Sequence, residues 1–243
     1  MYMKKIRFFS LFLVLLTFIS CNSRIDGSLF ANGSAVFSLS VSLEPRMATM
    51  IRSLSAARGQ ADGPVLNGPA IAQSMSHAPG IASVSLRNTS PSAVEGQIQI
   101  SQISDFLAVA RETSLQDAGG REFIVFEQGT RGHFSINLNR GNGPVIIELL
   151  SPEISDYLNA LMAPITTGED LSKIEYLELV ASFYNRAISD EIAGSRINAS
   201  IQFPGVITGV RGGTFSGRTA RFDISLLDLL VLETPLVYEV NWN

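Results

Sequence analysis

Residues 35–43, AVFSLSVSL, alternate strictly between apolar and polar. Phe37, Leu39, Val41 and Leu43 fall on one face and Ser38, Ser40 and Ser42 on the other, the period-2 pattern of a strand with one buried face. The period then changes. Pro45 suits a first helical turn, and Met47, Met50, Ile51 and Leu54 follow at helical spacing, which predicts a helix over about 44–57. A Gly/Pro-rich loop over 58–69 and a short helix near 69–77 come next. Two hairpins are then expected: GIASVSLRN and AVEGQIQIS around TSPS, and REFIVFE and GHFSINLN around QGTR, with one or two helical turns over 101–110 between them. Four strands joined by tight turns predict an antiparallel meander.

The middle of the chain takes up a helical period. In SPEISDYLNALM, Ser151 is placed as N-cap, Pro152 at the first helical position and Glu153 toward the positive end of the helix dipole. Ile154, Tyr157, Leu158, Leu161 and Met162 share a face, so a helix is expected over 152–162. A second helix is expected over 170–190, with Thr167 and Asp170 spaced for a capping box. Glu175, Glu178, Ser182, Arg186 and Ser189 form its polar stripe. Ile174, Tyr176, Leu177, Val180, Phe183, Tyr184 and Ile188 form a wide apolar surface. A helix this apolar packs on more than one side, or meets a ligand or membrane.

Strands return at the end. RINASIQF aligns Ile197, Ala199, Ile201 and Phe203. PGVITGVRGGTFSGRTARFDI reads as two strands around a Gly-rich turn. SLLDLLVLE reads as a short buried helix boxed by Ser225 and Asp228, and PLVYEVNW aligns Leu236, Tyr238, Val240 and Trp242. Strands outnumber helices and rarely alternate with them singly. The pattern therefore predicts an α+β fold, a mainly antiparallel curved β-sheet packed against two or three amphipathic helices, in a single domain over 35–243.

The first residues carry a different message. Lys4, Lys5 and Arg7 precede an apolar run, Phe8 to Ile19, broken only by Ser10 and Thr17. A membrane-spanning helix needs about 20 apolar residues. This run is shorter and fits the core of a signal peptide over 1–20, cut between Ser20 and Cys21. FISC, residues 18–21, resembles the lipobox of bacterial lipoproteins. Phe18 stands where Leu is usual, as in the relaxed lipoboxes of spirochaetes. The resemblance implies that Cys21, the lone cysteine, carries a diacylglycerol that anchors the protein to a membrane. Each buried CH₂ contributes about 0.8 kcal/mol, and two chains hold where one is marginal. Residues 21–34 then read as a lipidated tether. A single cysteine leaves no intrachain disulfide. Asn22, not Asp, after the cysteine points to the periplasm-facing outer membrane of the cell envelope where the host has two membranes.

Composition narrows the function. Loss of the three leader cations takes the formal charge from −4 to −7, which argues against nucleic acid and against docking on anionic headgroups. With 46% apolar and only 16% charged residues, the chain can build a sizeable core and is not a disordered sequence. Lys173 is the one lysine beyond the leader, so a Walker Gly-Lys-Ser/Thr loop is absent. His77 and His133 are the only histidines, too few beside one cysteine for a zinc site. Gly-x-Ser-x-Gly does not occur. GGTFSG, 212–217, reads as a hairpin turn and not as an anion cradle. Glu148, Glu153 and Asp156 are accounted for by solvation and the helix dipole. No catalytic residue, metal or cofactor is expected, and the protein is read as not an enzyme.

The stretch IQFPGVITGVRGGTFSGRTARFDI, with the closing YEVNW, resembles the LppM-type envelope lipoprotein domain. That resemblance implies a curved antiparallel sheet cupping a helix, and lipid-related binding. Two readings follow. In the first, the protein is a lipid-anchored envelope binding module for an apolar or lipid ligand or an envelope protein, with a pocket walled by Leu158, Leu161, Leu177, Val180, Phe183, Tyr184 and Trp242. In the second, it is a structural or interaction lipoprotein without a pocket.

Overall fold

The computed structural model describes residues 22–57, 63–108, 124–127, 129, 131–143, 158 and 161–243. The expected signal peptide, Cys21, Glu148, Glu153, Asp156 and all of the helix expected over 152–162 except Leu158, Leu161 and Met162 lie outside these residues. In chain order the elements are β1 (Asn22–Leu29), β2 (Ala35–Ser42), α1 (Pro45–Ala57), α2 (Gly68–Met75), β3 (Ile81–Ser90), β4 (Ala93–Ile100), β5 (Ile124–Glu127) and β6 (Gly132–Leu138). Then follow α3 (Pro164–Thr167), α4 (Lys173–Phe183), α5 (Arg186–Gly194), β7 (Arg196–Gln202), β8 (Ile207–Arg211), β9 (Thr214–Ser216), β10 (Thr219–Ser225), α6 (Leu226–Val231) and β11 (Leu236–Trp242). The class is α+β, as expected. The strands form two sheets, ordered β3-β4-β2-β1-β7-β10-β9 and β5-β6-β11-β8.

The alternation in 35–43 forms β2, with Phe37, Leu39 and Val41 buried and Ser38 and Ser40 exposed. The stretch read as a tether is different. Residues 22–29 are β1, a central strand of the larger sheet. It pairs antiparallel with β2, Ile25 opposite Leu39, and parallel with β7, Ile25 opposite Ala199. Ser23, Ile25, Gly27 and Leu29 face inward. Two of those four positions carry no large apolar side chain, so the strand pattern is faint. Gly27 is required there: a Cβ would come within 2.6 Å of the ring of Phe37, its cross-strand neighbour.

Both expected hairpins form, but they do not make one meander. β4 pairs with β2 in the larger sheet, Ile98 opposite Phe37, while β5 and β6 belong to the smaller one. The Gly-rich stretch after Pro204 likewise forms three strands, not two. β8 lies in the smaller sheet and β9 and β10 in the larger. Gly212 makes the crossing with a φ of 76°, where a Cβ would meet the Val237 carbonyl oxygen at 2.5 Å. The hairpin turn comes later, at Gly217 and Arg218.

The helix expected over 170–190 is two helices. The Asn185 side chain accepts a hydrogen bond from the Ile188 backbone N–H (3.0 Å) and so starts a new helix, α5, directly after α4. Ser189 does not lie on a solvated stripe. It is buried, and its hydroxyl donates to the Leu177 carbonyl (2.9 Å), tying the two helices together. The capping box also sits further on. Ser172 and Glu175 form it, because Thr167 closes α3 and α4 starts only at Lys173; Asp170 pairs with Arg140 instead. Hydrogen bonds from Ser172 hold the Glu175 carboxyl below its ordinary value.

Charges around α6 join the helices to the sheets. Ser225 caps α6 as expected, but the Asp228 carboxylate reaches Lys173 Nζ at 2.8 Å and completes no box. The Lys173 backbone N–H donates to Glu233 (3.0 Å), and the Arg140 guanidinium donates to the Val231 carbonyl (3.2 Å). The Asp228 hydrogen bond and charge raise the Lys173 ammonium above 10.5. That stabilisation is fully present below pH 10.5 and is lost as pH rises through the folded-state value. The pair is part-exposed, which limits it to about 1 kcal/mol or less.

Gly27→Val is expected to lower the unfolding free energy by about 1–3 kcal/mol in urea, since the new side chain meets the Phe37 ring. Ser28→Val, on the other face of β1, is expected to change it by no more than about 0.5 kcal/mol. Equal effects would contradict the placement of β1.

Candidate functional site

The two sheets face each other, and the space between them is not filled. A cavity of about 60 Å³ lies there. The larger sheet contributes Ile25, Phe37, Ala199, Ile201, Phe222 and Ile224. The smaller sheet contributes Phe134, Ile136, Leu138, Leu236 and Tyr238, and Leu229 reaches in from α6. Close-packed interiors leave few voids larger than a water molecule, so a hollow in the middle of a sandwich needs a cause.

The cause is side-chain size in the central strands. One inward row of the larger sheet runs Leu39, Ile25, Ala199, Phe222. The next runs Phe37, Gly27, Ile201, Ala220. Gly27 and Ala199 occupy the two strands at the middle, where a sandwich core ordinarily places branched side chains. Phe37 leans over Gly27 and fills part of the gap, and the remainder is the cavity.

Both ends are closed by recognisable groups. β7 runs toward Phe203, whose ring lies 5.1 Å from Trp242 and 6.4 Å from Phe134, a lining residue. Trp242 is itself wedged over Gly132, its register partner, and its Nε1 is buried with no hydrogen-bond partner among the described residues. At the other end α6 follows β10 directly and presents Leu229. Between these ends Phe222 and Tyr238 meet edge to face across the two sheets, 5.5 Å apart at 86°. Ile136, Ile201, Leu236 and Tyr238 are only half-buried, so the cavity reaches solvent beside them.

Tyr238 is the one lining residue with a polar side-chain atom, and it meets the cavity with its ring, since the wall is all but wholly apolar. Burial pushes its hydroxyl up to about 12, with the charges of Asp228 and Asp223 adding to the shift. The phenol therefore stays protonated and able to donate at any ordinary pH. Tyr176, on α4, is also raised by burial, and its hydroxyl donates to the Leu161 carbonyl (3.3 Å).

The seven residues expected to wall a pocket are spread between core and surface. Leu158, Leu161 and Val180 are buried in the core, Leu177 and Tyr184 are half-buried, and Phe183 is 65% exposed. Trp242 is buried in the aromatic cluster at one end of the sheets. None of the seven lines the inter-sheet cavity. The helical pattern drew attention to the helices, while the hollow is made by strands. Its signal in the sequence is Gly27 and Ala199 at inward positions of strands that become neighbours only in the fold.

The polar candidates are also placed. His133 is half-buried on β6 with Nδ1 2.9 Å from the Asn241 side-chain oxygen, and His77 is exposed. Among the described residues no three His, Cys, Asp or Glu side chains gather closely enough to hold a metal ion, and no helix is long and apolar enough to cross a membrane.

Ala199→Val adds two methyl groups at the cavity wall. In a filled core such an addition costs about 1–3 kcal/mol. Here it is expected to leave the urea unfolding free energy unchanged or to raise it by up to about 1.6 kcal/mol, at about 0.8 kcal/mol per buried carbon. A loss above about 1 kcal/mol would show that the site is already filled.

Neither a protein-family model nor a curated protein matches the sequence. Among solved structures, the NMR structure of the folded domain of the Mycobacterium tuberculosis LppM protein is similar over 91% of this chain and 88% of that one, at 9% sequence identity and a TM-score of 0.38. That is a distant likeness of fold and carries nothing about ligand or role.

Proposed function

We propose that this protein is a non-catalytic binding module of the bacterial cell envelope whose inter-sheet cavity receives an apolar ligand. The observation that carries the reading is the cavity itself, an all but wholly apolar space between two sheets that opens beside half-buried Ile136, Ile201, Leu236 and Tyr238. Ligand sites are concave and mostly apolar, with few polar groups to orient the occupant. A wall made almost wholly of apolar side chains fits the apolar part of that description. A single polar atom does not furnish the paired acid, base or nucleophile that catalysis needs.

The envelope position rests on the sequence. Lys4, Lys5 and Arg7, the short apolar run and Cys21 in FISC support a lipid anchor on a membrane, on the periplasmic side of an outer membrane where there is one. β1 begins at Asn22 and is paired with β7 from its first residue. With Cys21 lipidated, the larger sheet would start directly at the bilayer with no spacer. A ligand leaving the membrane would then travel only the length of the domain.

The test is native mass spectrometry on residues 22–243, purified from a lipid-containing bacterial extract. A co-purified mass in the lipid range, lost in Ile201→Trp and kept in Phe183→Asp, is expected. A clean apo mass would favour the interaction protein without a ligand. A bound mass lost in Phe183→Asp but kept in Ile201→Trp would move the site to the helices.

A further inference from the structure

We infer that the inter-sheet cavity takes the end of one straight hydrocarbon chain, tail first, and that the ring of Phe37 sets how much of it enters. This rests on the cavity being the ligand site and adds the shape of the occupant and the side chain that limits it.

The wall is all but wholly apolar. A polar group buried there without a partner would lose its hydrogen bonds to water, so hydrocarbon goes in and any polar end stays at the opening. The space is also small. An apolar cavity of about 150 Å³ holds one benzene molecule. This one is about 60 Å³, which at the same ratio is room for about two or three carbon atoms. A straight chain delivers its carbons one at a time and can place its last few there. A branched end or a ring system brings more carbons at once than the space accepts. The opening lies beside half-buried Ile136, Ile201 and Leu236, while Ile25, Phe37 and Ile224 stand buried behind them. Phe37 is what closes the depth. A Cβ at Gly27 would stand 2.6 Å from Phe37 Cε1 and 2.7 Å from Cδ1, so the ring occupies the trough that a side chain at 27 would otherwise fill. Phe134 and Phe222 are each set against another ring, Phe203 and Tyr238 respectively. Phe37 is instead set against a backbone without a side chain, and its size decides how much of that trough is left.

The test uses the full chain in phosphatidylcholine nanodiscs and two probes, n-dodecane and 2,2,11,11-tetramethyldodecane, which carries a tert-butyl group at both ends. Binding is read from the methyl NMR signals of Ile136, Ile201 and Leu236. The straight alkane is expected to bind at least ten-fold more tightly than the branched one. Phe37→Leu removes about three carbons from the wall and leaves part of their room open. It is expected to tighten the branched probe at least five-fold while n-dodecane stays within about three-fold of its wild-type affinity. Phe37→Met takes its place if that variant does not fold. Equal binding of the two probes by the wild type, or a preference that Phe37→Leu and Phe37→Met leave unchanged, overturns the limit set by Phe37 but leaves the cavity as the ligand site. No saturable shift with either probe, or shifts confined to Leu161, Leu177 and Val180, overturns the site and the limit together.

Discussion

The structure depends on one pairing, between residues 22–28 of β1 and 196–202 of β7. It runs parallel through seven residue pairs, from Asn22 opposite Arg196 to Ser28 opposite Gln202. On one side of it lie β2, β4 and β3, all from the first hundred residues. On the other lie β10 and β9, from the last forty. Without it the larger sheet is two unconnected pieces. The closure cost grows only with the logarithm of the intervening length, so a pairing between chain segments so far apart is affordable once its side chains interlock. They do so on one face only. Outside, Arg24, Asp26, Asn198 and Ser200 stand in water; inside, Ile25, Ile197 and Ala199 join the core.

That pairing also sets the hollow. It places Gly27 beside Ile201 and Ile25 beside Ala199, so the middle of the larger sheet presents its smallest inward side chains to the smaller sheet. Phe134 turns toward the Phe203 and Trp242 cluster at one end, and Tyr238 meets Phe222 edge to face. The cavity is therefore a consequence of how the two halves of the chain are joined.

Much of the local structure was readable in the sequence. β2, α1, the β3–β4 and β5–β6 hairpins, β7, the cap of α6 by Ser225 and β11 follow from period, turn residues and caps that act over a few residues. β1 was not, because Ser23 and Gly27 take inward positions that a strand pattern expects to be apolar. The Asn32–Gly33 pair that turns β1 into β2, with Gly33 at a φ of 83°, is the local sign from which the strand could have been inferred. The division of strands between two sheets was not readable either, since it depends on which distant strand each one meets. The break at Asn185 shows the same limit at smaller scale: a continuous helical period ran across it, and one side-chain hydrogen bond to Ile188 decided otherwise. The cavity was not legible for the reason β1 was not. It is marked by small residues, and small residues leave little trace in a hydrophobic pattern.

The central claim, that an apolar ligand enters between the sheets and not against the helices, is tested most directly by methyl NMR on residues 22–243 titrated with n-dodecane. The account predicts that the methyl signals of Ile136, Ile201, Leu229 and Leu236 shift together and saturate, while those of Leu161, Leu177 and Val180 stay in place. Saturable shifts confined to the helical set, or no saturable shift in either, would contradict it.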